Sequence, residues 1–275
     1  MRQETLPNKT RVVCYESMTE MVQDCNQALY NRFPANLDKD FVGENLPTYS
    51  QAVQMLEQPW QKGLDTIQQF VERLQSVQFP ELKSKVRKLR YDPDDGDEIC
   101  IDRLRSGQEF WRTSKREQAI GQQEVTVIAE VGCSSYVTWQ DVLWRGASAV
   151  ALVKLLEERG YRCEVWMTNG GRHQGVSYIM TSLLKITSDV LDVSTLACAF
   201  SSWAYRTLGF NNILTNQSRW NLGLYSAIDM PRTPQATELD SISKDENRIF
   251  ISDVFSFNAA ANLIESELQK LNERV

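Results

Sequence analysis

Glu124–Val131 reads EVTVIAEV, Gly132–Thr138 reads GCSSYVT, Trp139–Arg159 reads WQDVLWRGASAVALVKLLEER, and Arg162–Thr168 reads RCEVWMT. The first segment is a near-continuous apolar run rich in β-branched residues, the pattern of a strand buried on both faces. The polar GCSSYVT segment breaks it. The third segment carries Val142, Leu143, Ala147, Val150, Leu152, Val153 and Leu156 as its apolar residues, and Gly160 stands where a helix-ending glycine belongs. RCEVWMT is a second strand. A strand, a helix and a second strand in this order imply a parallel pair with a right-handed crossover.

Working outward toward the C-terminus, Asn169-Gly170-Gly171 is a turn signal and Val176–Ile186 a further strand, so the two predict an antiparallel hairpin. A helix is expected over Val193–Leu208, a short strand over Asn211–Leu214, a strand at Arg248–Ser252 (RIFIS) and a last helix over Asn258–Asn272. The second region, 121–275, is therefore expected to be an α/β domain. Its sheet is Rossmann-like and mostly parallel, with an antiparallel edge strand and flanking helices.

Outward in the other direction, residues 1–120 are expected to form an α-rich region. Thr10–Tyr15 (TRVVCY) is β-like, and Ser17 with Glu20 three residues on forms a capping-box pattern. Helical spacing recurs through Ala52, Val53, Leu56, Ile67, Val71 and Leu74, and Pro80 begins a basic helix through Lys83, Lys85, Arg87, Lys88 and Arg90.

Composition narrows the chemistry. The 275 residues hold 30 Lys+Arg against 36 Asp+Glu, a net charge of −6 that argues against coating nucleic acid by bulk charge. The single histidine, His173, excludes a multi-histidine metal centre. The six cysteines form no C-x-x-C pair and lie mostly in apolar runs, so reduced thiols are expected. The opening MRQETLPNKT has no apolar signal-peptide core, and no run of about 18 apolar residues spans a bilayer. The expectation is a cytoplasmic chain without a membrane partner. Neither G-x-x-x-x-G-K-[ST] nor G-x-G-x-x-G occurs, which removes the common phosphate-cradling loops.

In an open α/β sheet, ligands sit at the carboxyl ends of the parallel strands. Three loops are placed there by the expected order. They offer Glu130, Cys133, Ser134 and Ser135; then Asp189, Asp192, Ser194 and Thr195; then Asp253 and Ser256. Such carboxylates and hydroxyls are hard oxygen ligands, suited to Mg²⁺ or Ca²⁺. The bland alternative is that they cap helices.

The quoted strand, loop and helix, with DVSTLACAF and IFISDVFSF, resemble the von Willebrand factor A (vWA) family over about residues 124–275. That family has a D-x-S-x-S loop, a threonine before a mid-domain helix and a later aspartate, which together bind a divalent ion. Here Glu130 stands in place of the first aspartate and Gly132 in place of the first serine, while Ser134 matches the second serine. Ser194 or Thr195 takes the threonine's part, and Asp253 the last aspartate's. The resemblance implies a degenerate metal-ion-dependent adhesion site using these residues, with Mg²⁺ or Ca²⁺ where it is occupied. It also implies a non-enzymatic protein-interaction role in a multiprotein complex, beside an AAA+ ATPase or in a phage–host assembly. The whole chain is similar to a bacterial and phage family with an α-rich first half and a vWA-like second half.

Other features are weaker. Asp92, Asp94, Asp95, Asp97, Glu98 and Asp102 cluster in YDPDDGDEICID, without the spacing of an EF-hand. With the strand-end carboxylates they support the alternative of a metal-dependent hydrolase or nuclease. The basic helix and the seven tryptophans support nucleic-acid binding less well, since most of the tryptophans are expected in the core. His173 lies in a glycine-rich turn, and Cys133 lacks a nucleophile elbow, so no catalytic residue is assigned.

Overall fold

The computed structural model describes residues 1–25, 48–57, 60–79, 90–92, 98–99, 101–113, 124–133, 137–173, 176–189, 191–216, 230–244 and 247–274. The first part comprises β1 (Arg2–Thr5), β2 (Arg11–Tyr15), α1 (Met18–Gln23), α2 (Tyr49–Glu57) and α3 (Gln61–Gln75). Then come β3 (Arg90–Asp92), β4 (Glu98–Ile99), α4 (Ile101–Arg105) and β5 (Trp111–Thr113). The main α/β segment follows with β6 (Glu124–Glu130), α5 (Trp139–Glu157), β7 (Arg162–His173) and β8 (Val176–Lys185). After it run α6 (Val193–Ala199), α7 (Ser202–Ala204), a π-helical turn (Tyr205–Gly209) and α8 (Phe210–Asn216). β9 (Met230–Pro231), α9 (Ala236–Leu239), β10 (Ile249–Ile251) and α10 (Phe257–Arg274) complete the order.

The main sheet runs β1-β2-β8-β7-β6-β10, with β9 added to β7. Pairing is parallel at β6–β7, β6–β10 and β2–β8, and antiparallel at β1–β2, β7–β8 and β7–β9. The fold is thus α/β with a mixed sheet flanked by helices. β8, expected at an edge, is interior, because β2 pairs along it from Arg11↔Tyr178 to Tyr15↔Ser182. The first fifteen residues therefore belong to the same sheet as the quoted stretch. β3, β5 and β4 form a separate three-stranded sheet.

β6 is buried on both faces, as its apolar run requires. Val125, Val127 and Ala129 enter the larger core with Val13, Tyr15, Ile67, Val71, Leu74, Leu143, Leu152, Phe200, Trp203 and Ile264. Ile128 faces the other way, into a smaller core of Val12, Cys14, Trp166, Ile179, Leu239 and Ile242. Side chains alternate across a strand, so one run feeds both layers. α3 and α10 lie against α5 on the larger side, which brings residues from both halves of the chain into one core.

Several local signals act as expected. The Ser17 hydroxyl accepts the Glu20 N–H at 3.1 Å, but the Glu20 carboxylate takes the Glu16 N–H at 2.7 Å instead of that of Ser17, so only half of the expected capping box forms. Thr138 caps α5 by accepting the Asp141 N–H, and Gly160 adopts φ +85° beyond its last turn. Three expectations are corrected. Asn211–Leu214 is helical, inside α8, where the Asn212 amide donates to the Met21 carbonyl and Asn216 donates to Asp24. The Val193–Leu208 helix is interrupted at Ser201, whose hydroxyl caps α7. Asn169-Gly170-Gly171 is no turn but the interior of β7: a Cβ at Gly170 would lie 2.2 Å from the Arg232 carbonyl oxygen, and one at Gly171 would lie 2.2 Å from the Tyr178 hydroxyl. The glycines serve close approach. Trp60, Trp144, Trp166 and Trp203 are buried. Among the described residues no helix is long and apolar enough to cross a membrane.

A candidate site at the carboxyl edge of the sheet

Glu130 is the last residue of β6, opposite Thr168 of β7, and is only 2% exposed. The Val131 N–H extends the ladder by donating to the Thr168 carbonyl at 2.8 Å, and the chain then passes through Gly132. Arg145, in the second turn of α5 and 1% exposed, reaches back under this strand end. Its Nη1 donates to the carbonyls of Glu130 at 2.9 Å and Gly132 at 2.7 Å. Its Nη2 stands 3.8 Å from the Glu130 carboxylate, and its guanidinium carbon lies 4.4 Å from the centre of the Phe255 ring.

Asp253, just beyond β10, adopts φ 51°, a left-handed conformation that aspartate tolerates better than most residues. It is exposed, and its charge acts on both Glu130 and Arg145. Burial pushes the Glu130 carboxyl up to about 6; Arg145 pulls it down and Asp253 adds to the rise. Burial also lowers the pKa of Arg145. The π-helical turn brings Tyr205 and Arg206 into the same field, since both act on Cys133 or Glu130. A π-helical turn re-aims side chains in this way and is frequent at functional sites.

A strap closes the edge. β9 pairs with Gly171 and Arg172 beyond the end of β6, and the Arg232 N–H donates to the Gly170 carbonyl at 2.9 Å. The Thr233 hydroxyl then donates to the Glu130 carboxylate at 3.3 Å. The strap is held by Glu238, 1% exposed, which accepts two hydrogen bonds from Arg232 at 2.8 and 2.9 Å. Glu238 also accepts from the Thr10 hydroxyl at 2.7 Å, the Asn8 amide at 3.0 Å and the Gln235 N–H at 2.8 Å. Below the strap, the fully buried Asn169 carboxamide has no hydrogen-bond partner among the described residues. Its Oδ1 would lie 2.7 Å from a Cβ placed on Gly132.

The sequence-derived residues separate into two groups. Glu130 and Asp253 share the carboxyl edge, at the ends of the adjacent parallel strands β6 and β10. Ser134 lies outside the described residues. Ser194 and Thr195 begin α6 at the other edge: β8 runs antiparallel, and Lys185 near its end pairs with Val165 near the start of β7. The loop after β8 therefore opens where the parallel strands begin. There the Ser194 N–H and the Thr195 hydroxyl both donate to Asp192, closing a helix cap. Ser256 accepts the Ala259 N–H in the first turn of α10. Asp94, Asp95, Asp97 and Lys83–Lys88 lie outside the described residues.

Arg145, Asn169, Thr233, Tyr205 and Arg206 were not indicated by strand-end reasoning. Only Arg145 carried a visible signal, as the one charge in the apolar helix segment VLWRGASAVALV. A cation in such a run must find oxygen partners inside the fold.

The chemistry of the set is restricted. Burial pushes the Cys133 thiol up to about 11, so it is no activated nucleophile. Among the described residues no three His, Cys, Asp or Glu side chains gather as a metal-ion set. The two carbonyls and the carboxylate that would ligate an ion face the Arg145 guanidinium instead, so these residues do not fit a divalent cation.

No curated protein and no solved structure matches the chain. A family model described as Domain of unknown function (DUF7192) matches residues 2–273. That span takes in the N-terminal strands, the crossover and the carboxyl edge alike, and the chain belongs to the DUF7192 domain family.

Proposed function

We propose that this chain is a protein-interaction and assembly module, a cytoplasmic member of a multiprotein complex, built on a vWA-like sheet with a degenerate ion site. The order β8-β7-β6-β10, with β8 antiparallel to β7, supports the vWA-like reading, as does the placing of Glu130 and Asp253 at adjacent strand ends. One observation carries the non-enzymatic part. The buried carboxylate of the edge is engaged by Arg145 and Thr233, and the neighbouring thiol is held protonated, so among the described residues no group there is poised to attack a substrate. A partner of this face would meet Asp253 and Thr233, which are exposed.

The test is reconstitution. Proteins that assemble on the full chain in its native cells are identified, purified and titrated against it. We expect a stoichiometric complex with a Kd of about 1 µM or tighter, weakened roughly tenfold or more by Asp253→Ala or Thr233→Arg. Among the described residues of this edge, Glu130, pushed up to about 6, is the group that favours a hydrolase. Turnover of a nucleic acid or phosphoester by the purified chain, lost in Glu130→Gln, would replace the interaction role with that activity.

A further inference from the structure

The interior of the carboxyl edge is organised around one cation. The groups facing Arg145 are the main-chain carbonyls of Glu130 and Gly132, the Glu130 carboxylate and the face of Phe255, with the charge of Asp253 behind them. Carbonyl and carboxylate oxygens are the ligands that Mg²⁺ and Ca²⁺ take, and an aromatic face attracts cations of any kind. The oxygens come from the end of β6 and the turn after it, and Asp253 from the end of β10, while the cation comes from α5. The guanidinium therefore ties the crossover helix to the end of β6 by hydrogen bonds and to the segment after β10 through the Phe255 ring, with Asp253 acting on it only through its charge.

We infer that Arg145 is the resident cation of this crevice, holding the oxygen set that a divalent ion would otherwise hold, so that the carboxyl edge works without metal. Arginine suits the position because its planar fork donates to two carbonyls at once and remains charged when buried. Binding at this face is then indifferent to chelators. That consequence rests on the interaction role proposed above, whereas the presence of the built-in cation does not.

The experiment is a thermal-unfolding series on the full chain, with EDTA, Mg²⁺ or Ca²⁺ at about 5 mM, concentrations at which a weak site still shifts the midpoint. Wild type should unfold at the same temperature in all three. Arg145→Ala should fall by roughly 10 °C in EDTA, because it leaves a buried carboxylate uncompensated. It should recover about 3 °C or more in metal, and lose that recovery when Asp253→Ala is added. A saturable metal shift in wild type that disappears in Asp253→Ala overturns the inference, and so does a folded Arg145→Ala that ignores metal. If Arg145→Ala does not fold in either condition, Arg145→Lys decides. A lysine variant that folds and is indifferent to metal upholds the cation; one that also fails to fold shows that the crevice needs the guanidinium's shape, and overturns it. These readouts are separate from partner capture, so the cation and the interaction role can fail independently.

Discussion

Replacing Glu238 with glutamine keeps the side chain's size and removes its charge, at a position where five hydrogen bonds converge on one buried carboxylate. Burial opposes ionisation here. The bonds from Arg232, Thr10 and the Gln235 N–H outweigh it and hold the carboxyl at about 2, against an ordinary value of 4.5. At about 1.36 kcal/mol per pH unit of displacement, that contributes roughly 3 kcal/mol at pH 7. A depressed carboxylate stabilises the fold above its unfolded pKa and loses that contribution as pH falls through the folded value. At pH 3 about half of it should remain. Urea unfolding of wild type and Glu238→Gln at pH 7, 5, 4 and 3 reads this directly. The gap between them should be roughly 3 kcal/mol at pH 7 and 5, and should narrow to about half by pH 3. A gap that stays constant across this range would refute the reasoning, because the loss would then come from packing and not from ionisation.

Two further outcomes follow from the same edge. Gly170→Ala places a methyl 2.2 Å from the Arg232 carbonyl oxygen, a backbone atom that cannot swing aside, so β9 must move. We expect a loss of about 1–3 kcal/mol and faster hydrogen exchange at the Arg232 amide, which donates to Gly170; unchanged exchange would show that the strap does not depend on this contact. Cys133, buried and pushed up to about 11, should resist iodoacetamide at pH 8 in the folded chain and react readily in urea. Rapid alkylation of the native protein would contradict its placement.

The crossover β6–α5–β7 was legible because the local signals agreed: a β-branched run, a polar break, an apolar helix and Gly160 beyond its end. β1 was not, since all four of its residues are exposed and it joins the sheet only through β2. Asn211–Leu214 misled as a short strand because its order comes from partners distant in sequence, Met21 and Asp24, which pull the asparagines into one helical face. Asn169-Gly170-Gly171 carries the residues of a turn, yet these glycines answer to a neighbouring backbone and a tyrosine hydroxyl. The carboxyl edge itself was visible through Glu130 and Asp253. Its cation stood out only as a lone charge in an apolar helix, and nothing in the sequence tied Arg145 to a strand end fifteen residues back.

The two buried carboxylates that touch the strap are displaced in opposite directions, and this sets how the edge answers to acid. Glu130, at about 6, lies above its ordinary 4.5, so its ionisation weakens the fold; stability is gained as pH falls from about 6 toward 4.5. Glu238, at about 2, lies below, so stability is lost only as pH falls under 4.5. Between those limits Glu130 is largely protonated while the Glu238 clamp on Arg232 is intact. A protonated Glu130 no longer needs the whole charge of Arg145, but it still offers an oxygen to Thr233. Mild acid therefore relaxes the electrostatics of the crevice without releasing the strap, and the two groups together favour maximal stability near roughly pH 5. The strap opens by protonation only after Glu238 itself is neutralised. Any partner that works near neutral pH must meet the edge with Thr233 and Arg232 in place, or displace them by its own contacts.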